Sequence, residues 1–255
     1  MGYYEITEIP GLKATEEQIE RLYHRYHFAK KFAIGKDVLE VACGAGLGLG
    51  YLGKVAKSII GGDIDETNVN IARNYYKDKI KIDIMDAHFL PFENEQFDLV
   101  LLYEAIYYLK EPYKFIQEAK RVLRKKGKLI ICTVNKEWED FHPSPYTYKY
   151  FSAYELYEML KNEFEEVELY GAFKVENRDF KNKIISFIKR FAIRFNLIPG
   201  SLKARAYLKR IFIGKLKPLP YEIKEGMAEY TEPVLIPKDK PNKEFKIIYA
   251  IAKKE

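Results

Sequence analysis

Two glycines and a later carboxylate make up the part of this chain best suited to chemistry. Gly44 and Gly46 follow the apolar run 38–42, and Asp63 follows the next apolar run, 58–62. Glycines let the backbone approach a ligand closely, and a carboxylate placed after the second strand can accept hydrogen bonds from ribose hydroxyls. The spacing therefore predicts a nucleotide-type cofactor lying across the ends of two parallel strands.

The elements that must hold these residues alternate along the chain. Apolar runs typical of buried strands occur at 38–42, 58–62, 80–84, 97–102, 128–133, 166–173 and 245–252. Helices are predicted at 15–33, 66–76, 113–123 and 153–161, with caps at Thr15, at Asp65 or Thr67, and at Ser152. This alternation predicts an α/β fold in which helices cover both faces of a parallel sheet.

The composition is that of a soluble globular protein and narrows the range of functions. The 255 residues are 47% hydrophobic, with no run of eighteen apolar residues and no signal-peptide pattern, so a cytoplasmic location is expected. The two cysteines, Cys43 and Cys132, make neither a disulfide framework nor a zinc site. We also see no metal-ligand spacing and expect metal-independent chemistry.

A dinucleotide cofactor is the first alternative, because the pattern G-x-G-x-x-G occurs literally at Gly48, Gly50 and Gly53. These glycines lie inside a helix, beyond the turn that follows the first strand. A lone match in this register is weak evidence for NAD. The turn itself contains Gly44 and Gly46.

Five segments resemble, in order and spacing, the motifs of class I S-adenosylmethionine-dependent methyltransferases, in the small-molecule branch similar to type 11. They span about residues 36–135 and comprise 40–46 (Glu-Val-Ala-Cys-Gly-Ala-Gly), 61–65, 86–92, 97–100 and 121–129. The resemblance implies a Rossmann-like doubly wound sheet of seven strands with the last strand antiparallel. It also implies S-adenosylmethionine as cofactor and S-adenosylhomocysteine as product. Lys126 stands where the family usually has glycine, at a turn away from the cofactor.

The resemblance gives roles to individual residues. Backbone at Gly44 and Gly46 is expected to approach the methionine part of the cofactor. Asp63 is expected to hold the ribose hydroxyls, and Asp86 to accept from the adenine amino group. The full cofactor-binding set is Glu40, Ala42, Gly44, Gly46, Asp63, Ile64, Asp86, Ala87, Tyr103, Tyr26 and Arg25.

Several of these residues also have purely structural interpretations. Asp63 is then a solvated loop carboxylate, and Asp86 a helix cap. The helix 15–33 either lies over the cofactor, with Arg25 or Tyr26 meeting the methionine carboxylate, or packs its aromatic side chains on the sheet edge. The sequence leaves these alternatives open.

The acceptor is predicted to be a small molecule or glycan-like, methylated at oxygen, which requires a base to remove a hydroxyl proton. Glu104, after the fourth strand, and His142, in an aromatic loop, are the leading candidates; His24 and His27 are others. The fourth strand lacks the Asn/Asp-Pro-Pro-aromatic motif of the family members that methylate bases of nucleic acids, so nucleic acid is disfavoured. A cofactor-binding protein without catalysis is a further alternative.

The basic charge is concentrated in one segment. Residues 174–217 hold thirteen Lys or Arg and two acidic residues, a net +11 within a chain of net charge +6. Helical periodicity around 181–213 indicates an insertion between the last two strands. This basic segment has three functional interpretations: a cap that binds an anionic acceptor, a membrane-surface helix over 178–215 that serves a lipid-linked or quinone-type acceptor, or an RNA contact. The structural alternative is an amphipathic cap with a solvated basic face.

The predicted organisation therefore has three parts. Residues 1–35 form an N-terminal lid helix, residues 36–173 and 244–255 form the cofactor-binding domain, and residues 174–243 form a basic helical cap.

Overall fold

A computed structural model describes residues 7–175 and 216–255, and the helical periodicity around 181–213 lies outside these residues. The helices are α1 (Glu16–Ala33), α2 (Leu49–Gly53), α3 (Glu66–Tyr76), α4 (Pro112–Val122) and α5 (Ala153–Lys161). The strands are β1 (Lys13–Ala14), β2 (Asp37–Val41), β3 (Ser58–Asp63), β4 (Lys81–Ile84), β5 (Phe97–Tyr103), β6 (Leu123–Val134), β7 (Glu166–Lys174), β8 (Lys217–Pro218), β9 (Val234–Leu235) and β10 (Phe245–Lys253).

The main sheet has the order β4-β3-β2-β5-β6-β10-β7-β9. β10 runs antiparallel to both β6 and β7, as expected for the last strand, whereas β2 to β6 are parallel. The predicted doubly wound α/β fold is thus confirmed, with one difference. An eighth strand, β9, pairs with the outer edge of β7; its two residues are exposed and too few to give an alternation in the sequence.

The strand order reverses between β2 and β5, which fixes the position of the site. The chain adds β3 and β4 on one side of β2 and then returns to add β5 and β6 on the other. Helices connecting these strands diverge at the reversal and leave a crevice at the carboxyl ends of the strands, where ligands bind in this class of sheet.

Alternation along the central strands decides which side chains face α1. Val38 on β2 and Leu101 on β5 belong to the same buried cluster as α1, whereas Leu39 and Leu102 face the opposite cluster. By the same period of two, Glu40 lies on the face of β2 that α1 covers.

The helix boundaries follow their caps. Thr15 and Gln18 form the predicted capping box of α1, and Ser152 forms one with Glu155 at α5. At α3 the cap is Asp65, whose carboxylate accepts from the backbone of Thr67 and Asn68.

β6 starts five residues earlier than predicted, because Leu123 pairs with Phe97 across a bulge. Among the described residues, none of the helices has the length and apolar character that crossing a bilayer requires.

Candidate functional site

A cavity of about 620 Å³ lies at the carboxyl ends of β2, β3 and β5, a volume in the range of small-molecule sites. The predicted site residues in its wall are Arg25, Tyr26, Glu40, Ala42, Gly44, Asp63, Ile64, Asp86, Ala87, Tyr103 and Glu104. Gly46 and His142 lie outside the wall. The fold therefore brings together residues that are spread over eighty positions of the chain.

The glycine turn after β2 has the backbone that its sequence requires. Gly44 has a φ of +56° and Gly46 a φ of +74°, values that glycine adopts without a Cβ penalty. A Cβ on Gly44 would lie 2.7 Å from Cγ2 of Thr7, which packs over the turn. Gly46 is behind the wall, where its carbonyl accepts a hydrogen bond from the Tyr76 hydroxyl at 2.9 Å.

The literal dinucleotide pattern has a packing role. A Cβ on Gly48 would lie 2.0 Å from the ring of Tyr26, and one on Gly50 would lie 2.0 Å from the carboxylate of Glu222. These glycines allow neighbouring side chains to approach α2, and they are not part of the cavity wall.

Asp63 is buried, with 6% of its surface exposed, and is held firmly. Its Oδ2 accepts from the backbone N–H of Gly44 at 2.8 Å, and its Oδ1 from that of Asp65 at 2.9 Å. Burial raises the pKa of Asp63, and these backbone donors partly offset the effect. The carboxylate is therefore not a solvated loop residue, and it ties β3 to the glycine turn.

Asp86 is fixed by the residue two positions later. Its Oδ1 accepts from the backbone N–H of His88 at 2.9 Å and lies 2.6 Å from Nδ1 of the same residue. Partial burial raises the pKa of Asp86, but the contacts with His88 outweigh this and hold the pKa below its usual value. No helix of the described chain begins here, so Asp86 is not a helix cap.

Four buried side chains from α1, β2 and β5 form a polar cluster in the cavity wall. The Tyr26 hydroxyl donates to Oε1 of Glu40 at 2.5 Å, and the rings of Tyr26 and Tyr103 are 5.4 Å apart. Three atoms of the cluster have no hydrogen-bond partner among the described residues: Oε2 of Glu40, Nε of Arg25 and the hydroxyl oxygen of Tyr103. Each such buried atom costs about 1–3 kcal/mol, which a ligand that pairs with it recovers.

This cluster fits the amino-acid end of S-adenosylmethionine. A carboxylate oxygen suits an ammonium group, and a guanidinium N–H suits a carboxylate. Burial raises the pKa of Glu40 to about 7, although the Tyr26 hydrogen bond and the nearby Arg25 charge lower it.

α1 contributes side chains both to the cavity wall and to the core. Arg25 and Tyr26 line the cavity, while Tyr23 and Phe28 pack into the core. The helix covers one side of the cavity and at the same time closes the sheet.

Glu104 follows β5 in the left-handed region, with a φ of +50°. A non-glycine residue pays about 1–2 kcal/mol for this conformation. The turn brings the carboxylate into the cavity wall, where Oε2 accepts from the Tyr107 hydroxyl at 2.8 Å. Burial raises the pKa of Glu104, partly offset by the charge of Arg25. Glu104 is therefore placed to accept a proton.

The histidine candidates lie elsewhere. His142 is exposed, on the loop after β6, and is not among the residues that line the cavity. His24 is buried between the Tyr249 hydroxyl, at 2.7 Å, and the carbonyl of Thr231, at 2.8 Å, and burial lowers its pKa to about 4. His27 lies beside Tyr51 on the side of α1 that faces α2. None of the three lines the cavity, whereas His88 does.

Sequence reasoning missed several residues of the wall. Glu8 reaches it from the segment before α1 and pairs with Arg25. Tyr107, Tyr108 and Tyr148 line the part of the cavity next to Glu104. The aromatic richness of the loop 138–150 was visible in the sequence, but which of its rings face the site depends on how the loop crosses the sheet edge.

Within residues 7–175 and 216–255 the structure has no group of three or more His, Cys, Asp or Glu side chains placed to hold a metal ion.

The chain matches known proteins over much of the region that builds this cavity. Residues 39–131 match a family described as a methyltransferase domain. A probable S-adenosylmethionine-dependent methyltransferase of Mycolicibacterium smegmatis is 32% identical over 173 residues, covering 63% of each chain. A ubiquinone biosynthesis O-methyltransferase of Coxiella burnetii is 26% identical over 110 residues, 42% of this chain and 47% of the relative. The chain thus spans less than two thirds of the length of these relatives.

The fold is shared with solved structures. The YcgJ protein of Bacillus subtilis superposes with a TM-score of 0.56 over 90% of this chain and 97% of its own, at 17% sequence identity. At this identity the likeness concerns the fold alone.

Proposed function

We propose that this chain, which belongs to the class I S-adenosylmethionine-dependent methyltransferases, transfers a methyl group from that cofactor to a hydroxyl of a small-molecule acceptor. The observation that carries the proposal is the set of unpaired buried atoms on Glu40, Arg25 and Tyr103, in one cavity with Gly44 and Asp63. When bound, the cofactor supplies a methyl group attached to a positively charged sulfur.

The chain's residues bind and align the reactants. Glu40 and Arg25 would hold the amino-acid end, Asp63 the ribose and Asp86 the adenine. Glu104 would take the hydroxyl proton, because it lies in the wall with its Oε2 fixed by Tyr107. Because binding already holds the two reactants in line, the activation free energy of methyl transfer no longer includes most of the entropy cost of bringing them together.

The charge of the wall favours a neutral acceptor. Among the described residues it contains three cations, Arg21, Arg25 and Lys110, against the carboxylates of Glu8, Glu40, Asp63, Asp86, Glu104 and Glu111. An anionic acceptor would meet repulsion from this excess of carboxylates, so the expectation of an anionic acceptor has no support here.

Cofactor binding is tested by isothermal titration of wild type, Asp63→Asn and Asp83→Asn with S-adenosylhomocysteine and with NAD. Asp83 lies on β4, outside the cavity wall, and pairs with Arg73 of α3. It is the matched control. Since hydrogen bonds to a charged group contribute about 1.5–3 kcal/mol, Asp63→Asn should weaken S-adenosylhomocysteine binding about tenfold or more. Asp83→Asn should leave it unchanged. Tighter binding of NAD than of S-adenosylhomocysteine would overturn the proposal.

A second candidate is a lipid-linked or quinone-type acceptor methylated at a membrane surface. The support for it is the similarity to a ubiquinone biosynthesis O-methyltransferase and the basic segment 174–217. Co-sedimentation of the full chain with anionic and with neutral vesicles tests it, and equal partitioning would remove it. A cytoplasmic location and the three-part organisation stay predictions from the sequence.

A further inference from the structure

Three tyrosines, Tyr107, Tyr108 and Tyr148, belong to the cavity wall together with Glu104. The rings of Tyr107 and Tyr108 lie 4.6 Å apart at an angle of 64°. Tyr148 joins them through its backbone N–H, which donates to the carbonyl of Tyr107 at 2.9 Å. All three residues line the cavity, and the Tyr107 hydroxyl donates to the carboxylate of Glu104. The part of the cavity nearest the proposed base is therefore aromatic.

The three tyrosines differ in exposure. Tyr148 is 63% exposed although it lines a cavity, whereas Tyr107 is buried. Aromatic surface left uncovered at a cavity is typical of a binding site. Tyr146 is also exposed, two residues earlier on the same loop, but it is outside the wall. Of these two exposed tyrosines of the loop, Tyr148 belongs to the cavity wall and Tyr146 does not.

The two arginines among the three cations of this wall already have carboxylate partners. Arg25 pairs with Glu8, and Arg21 pairs with Glu17 at 2.6 Å. A ring with a negative substituent would therefore find little free positive charge from these arginines and would lie close to Glu104. A neutral ring suits the surface better.

We propose that the acceptor is a neutral phenol, whose ring packs against Tyr107, Tyr108 and Tyr148 and whose hydroxyl donates to Glu104. This inference rests on the proposed methyltransferase function and names its substrate class. Tyr107 is then a positioning residue, because its hydroxyl holds one oxygen of Glu104 and leaves the other for the acceptor.

The acidity of the acceptor supports a phenol over a sugar hydroxyl. A phenol has a pKa of about 10, whereas an aliphatic hydroxyl is nearly as weak an acid as water, with a pKa of about 15.7. A carboxylate whose pKa is raised, as that of Glu104 is, matches the phenol far more closely. Glu104 accepts the proton, the phenolic oxygen bonds to the methyl carbon, and the carbon–sulfur bond breaks with its electron pair remaining on sulfur.

The first experiment measures binding of 2-naphthol and of methyl glucoside to the protein saturated with S-adenosylhomocysteine. We expect 2-naphthol to bind at least tenfold more tightly. Tyr148→Ala should weaken 2-naphthol binding about three- to tenfold, because an aromatic pair contributes about 0.5–1.5 kcal/mol beyond the area it buries. Tyr146→Ala, the matched control, should bind 2-naphthol as wild type does.

The second experiment measures methyl transfer to 2-naphthol and its pH dependence. Tyr107→Phe should lower kcat with little change in KM and move the acidic limb of the kcat profile to higher pH, because a hydrogen bond that favours ionised Glu104 is lost. A variant with an unchanged pH profile would show that Tyr107 has a structural role only.

The inference is overturned if methyl glucoside binds as tightly as 2-naphthol, or if Tyr148→Ala and Tyr146→Ala behave alike. Failure of the cofactor proposal looks different, since S-adenosylhomocysteine would then not bind at all.

Discussion

At the scale of single residues, burial sets the chemistry of the cavity. Glu40 is only 1% exposed, and the loss of hydration is the main reason that its pKa rises to about 7. One of its oxygens accepts from Tyr26, and the other has no partner among the described residues. An ammonium group placed there would favour the ionised carboxylate, so cofactor binding and ionisation of Glu40 are linked.

We therefore expect S-adenosylhomocysteine to bind more tightly as the pH rises from 5 to 7. Below its pKa of about 7, Glu40 is protonated in the free protein and must release a proton when the ammonium group binds. The limiting slope is about tenfold in Kd per pH unit. Titration calorimetry in buffers of different ionisation enthalpy measures the released proton directly.

Glu40→Gln is the matched control for this linkage. It should bind more weakly at pH 7 and release no proton at any pH in the range. A wild-type Kd that does not change between pH 5 and 7 would contradict the assignment of Glu40.

At the scale of elements, strained turns end the strands that carry the site. Ala42 after β2 and Glu104 after β5 both have a positive φ, 55° and 50°, although neither is glycine. Such strain is typical of functional turns. Lys126 has a φ of 63° within β6, but it is exposed and is not part of the cavity wall. Its backbone strain therefore serves no purpose in the site.

Lys126→Gly should therefore stabilise the protein. Removal of the Cβ relieves about 1–2 kcal/mol of strain, and the greater freedom of glycine in the unfolded chain takes back about 0.5–1 kcal/mol. We expect a net gain of about 0.5–1 kcal/mol and a rise in Tm of about 2 °C, measured by thermal unfolding. Lys125→Gly, at the neighbouring exposed position without a positive φ, should lower Tm instead.

The segment before α1 acts on the cavity through one carboxylate. Glu8 pairs with the buried guanidinium of Arg25, the group expected to meet the cofactor carboxylate. Glu8→Gln should tighten binding of S-adenosylhomocysteine about fivefold, because a competing ion pair of about 1 kcal/mol is removed. Binding of methylthioadenosine, which has no carboxylate, should not change.

Glu16→Gln removes an ion pair between α1 and Lys217, two residues outside the cavity wall, and is the control for this experiment. Weaker binding of S-adenosylhomocysteine by Glu8→Gln would show that Glu8 orients Arg25 for the cofactor and does not compete with it.

At the scale of the whole molecule, the chain after the basic insertion fastens α1 to the sheet. Glu225 accepts from Lys30 at 2.6 Å and from the Tyr51 hydroxyl at 2.9 Å, which joins this segment to α1 and α2. His24 completes the connection, with one ring nitrogen on Tyr249 of β10 and the other on the carbonyl of Thr231. The helix beside the cavity therefore depends on residues 195 to 225 positions later in the chain.

This arrangement predicts a loss of stability in acid. Because burial lowers the pKa of His24 to about 4, the unfolded chain binds a proton between pH 6.5 and 4 that the native state does not. The contribution of His24 to the free energy of unfolding is fully present well above pH 6.5, and it is smaller by about 2 kcal/mol at pH 5. Urea unfolding of wild type and His24→Gln at pH 7.5 and pH 5 measures it, and the difference between the two proteins isolates His24. Parallel losses in both proteins would contradict the prediction.

Within the described residues, the order of the main strands and helices could be predicted from the sequence, and the site in part. Strands such as β2 and β5 are short apolar runs that alternate with helices, so their positions along the chain follow from local patterns. Asp63 and Glu104 follow the ends of such strands, and the parallel sheet brings those ends together. β9 and the early start of β6 were missed because each depends on pairing with a strand far away in the chain.

The sequence by itself determined the α/β class, the glycine turn and the acidic residues that follow the strands, because these are signals of neighbouring residues. Only the tertiary structure decided that Glu8 meets Arg25, that Tyr148 and not Tyr146 faces the cavity, and that His142 lies outside it. Those outcomes depend on the direction in which loops cross the sheet edge. The raised pKa of Glu40 depends in the same way on the burial that tertiary packing creates. Neither quantity is encoded in the spacing of residues along the chain.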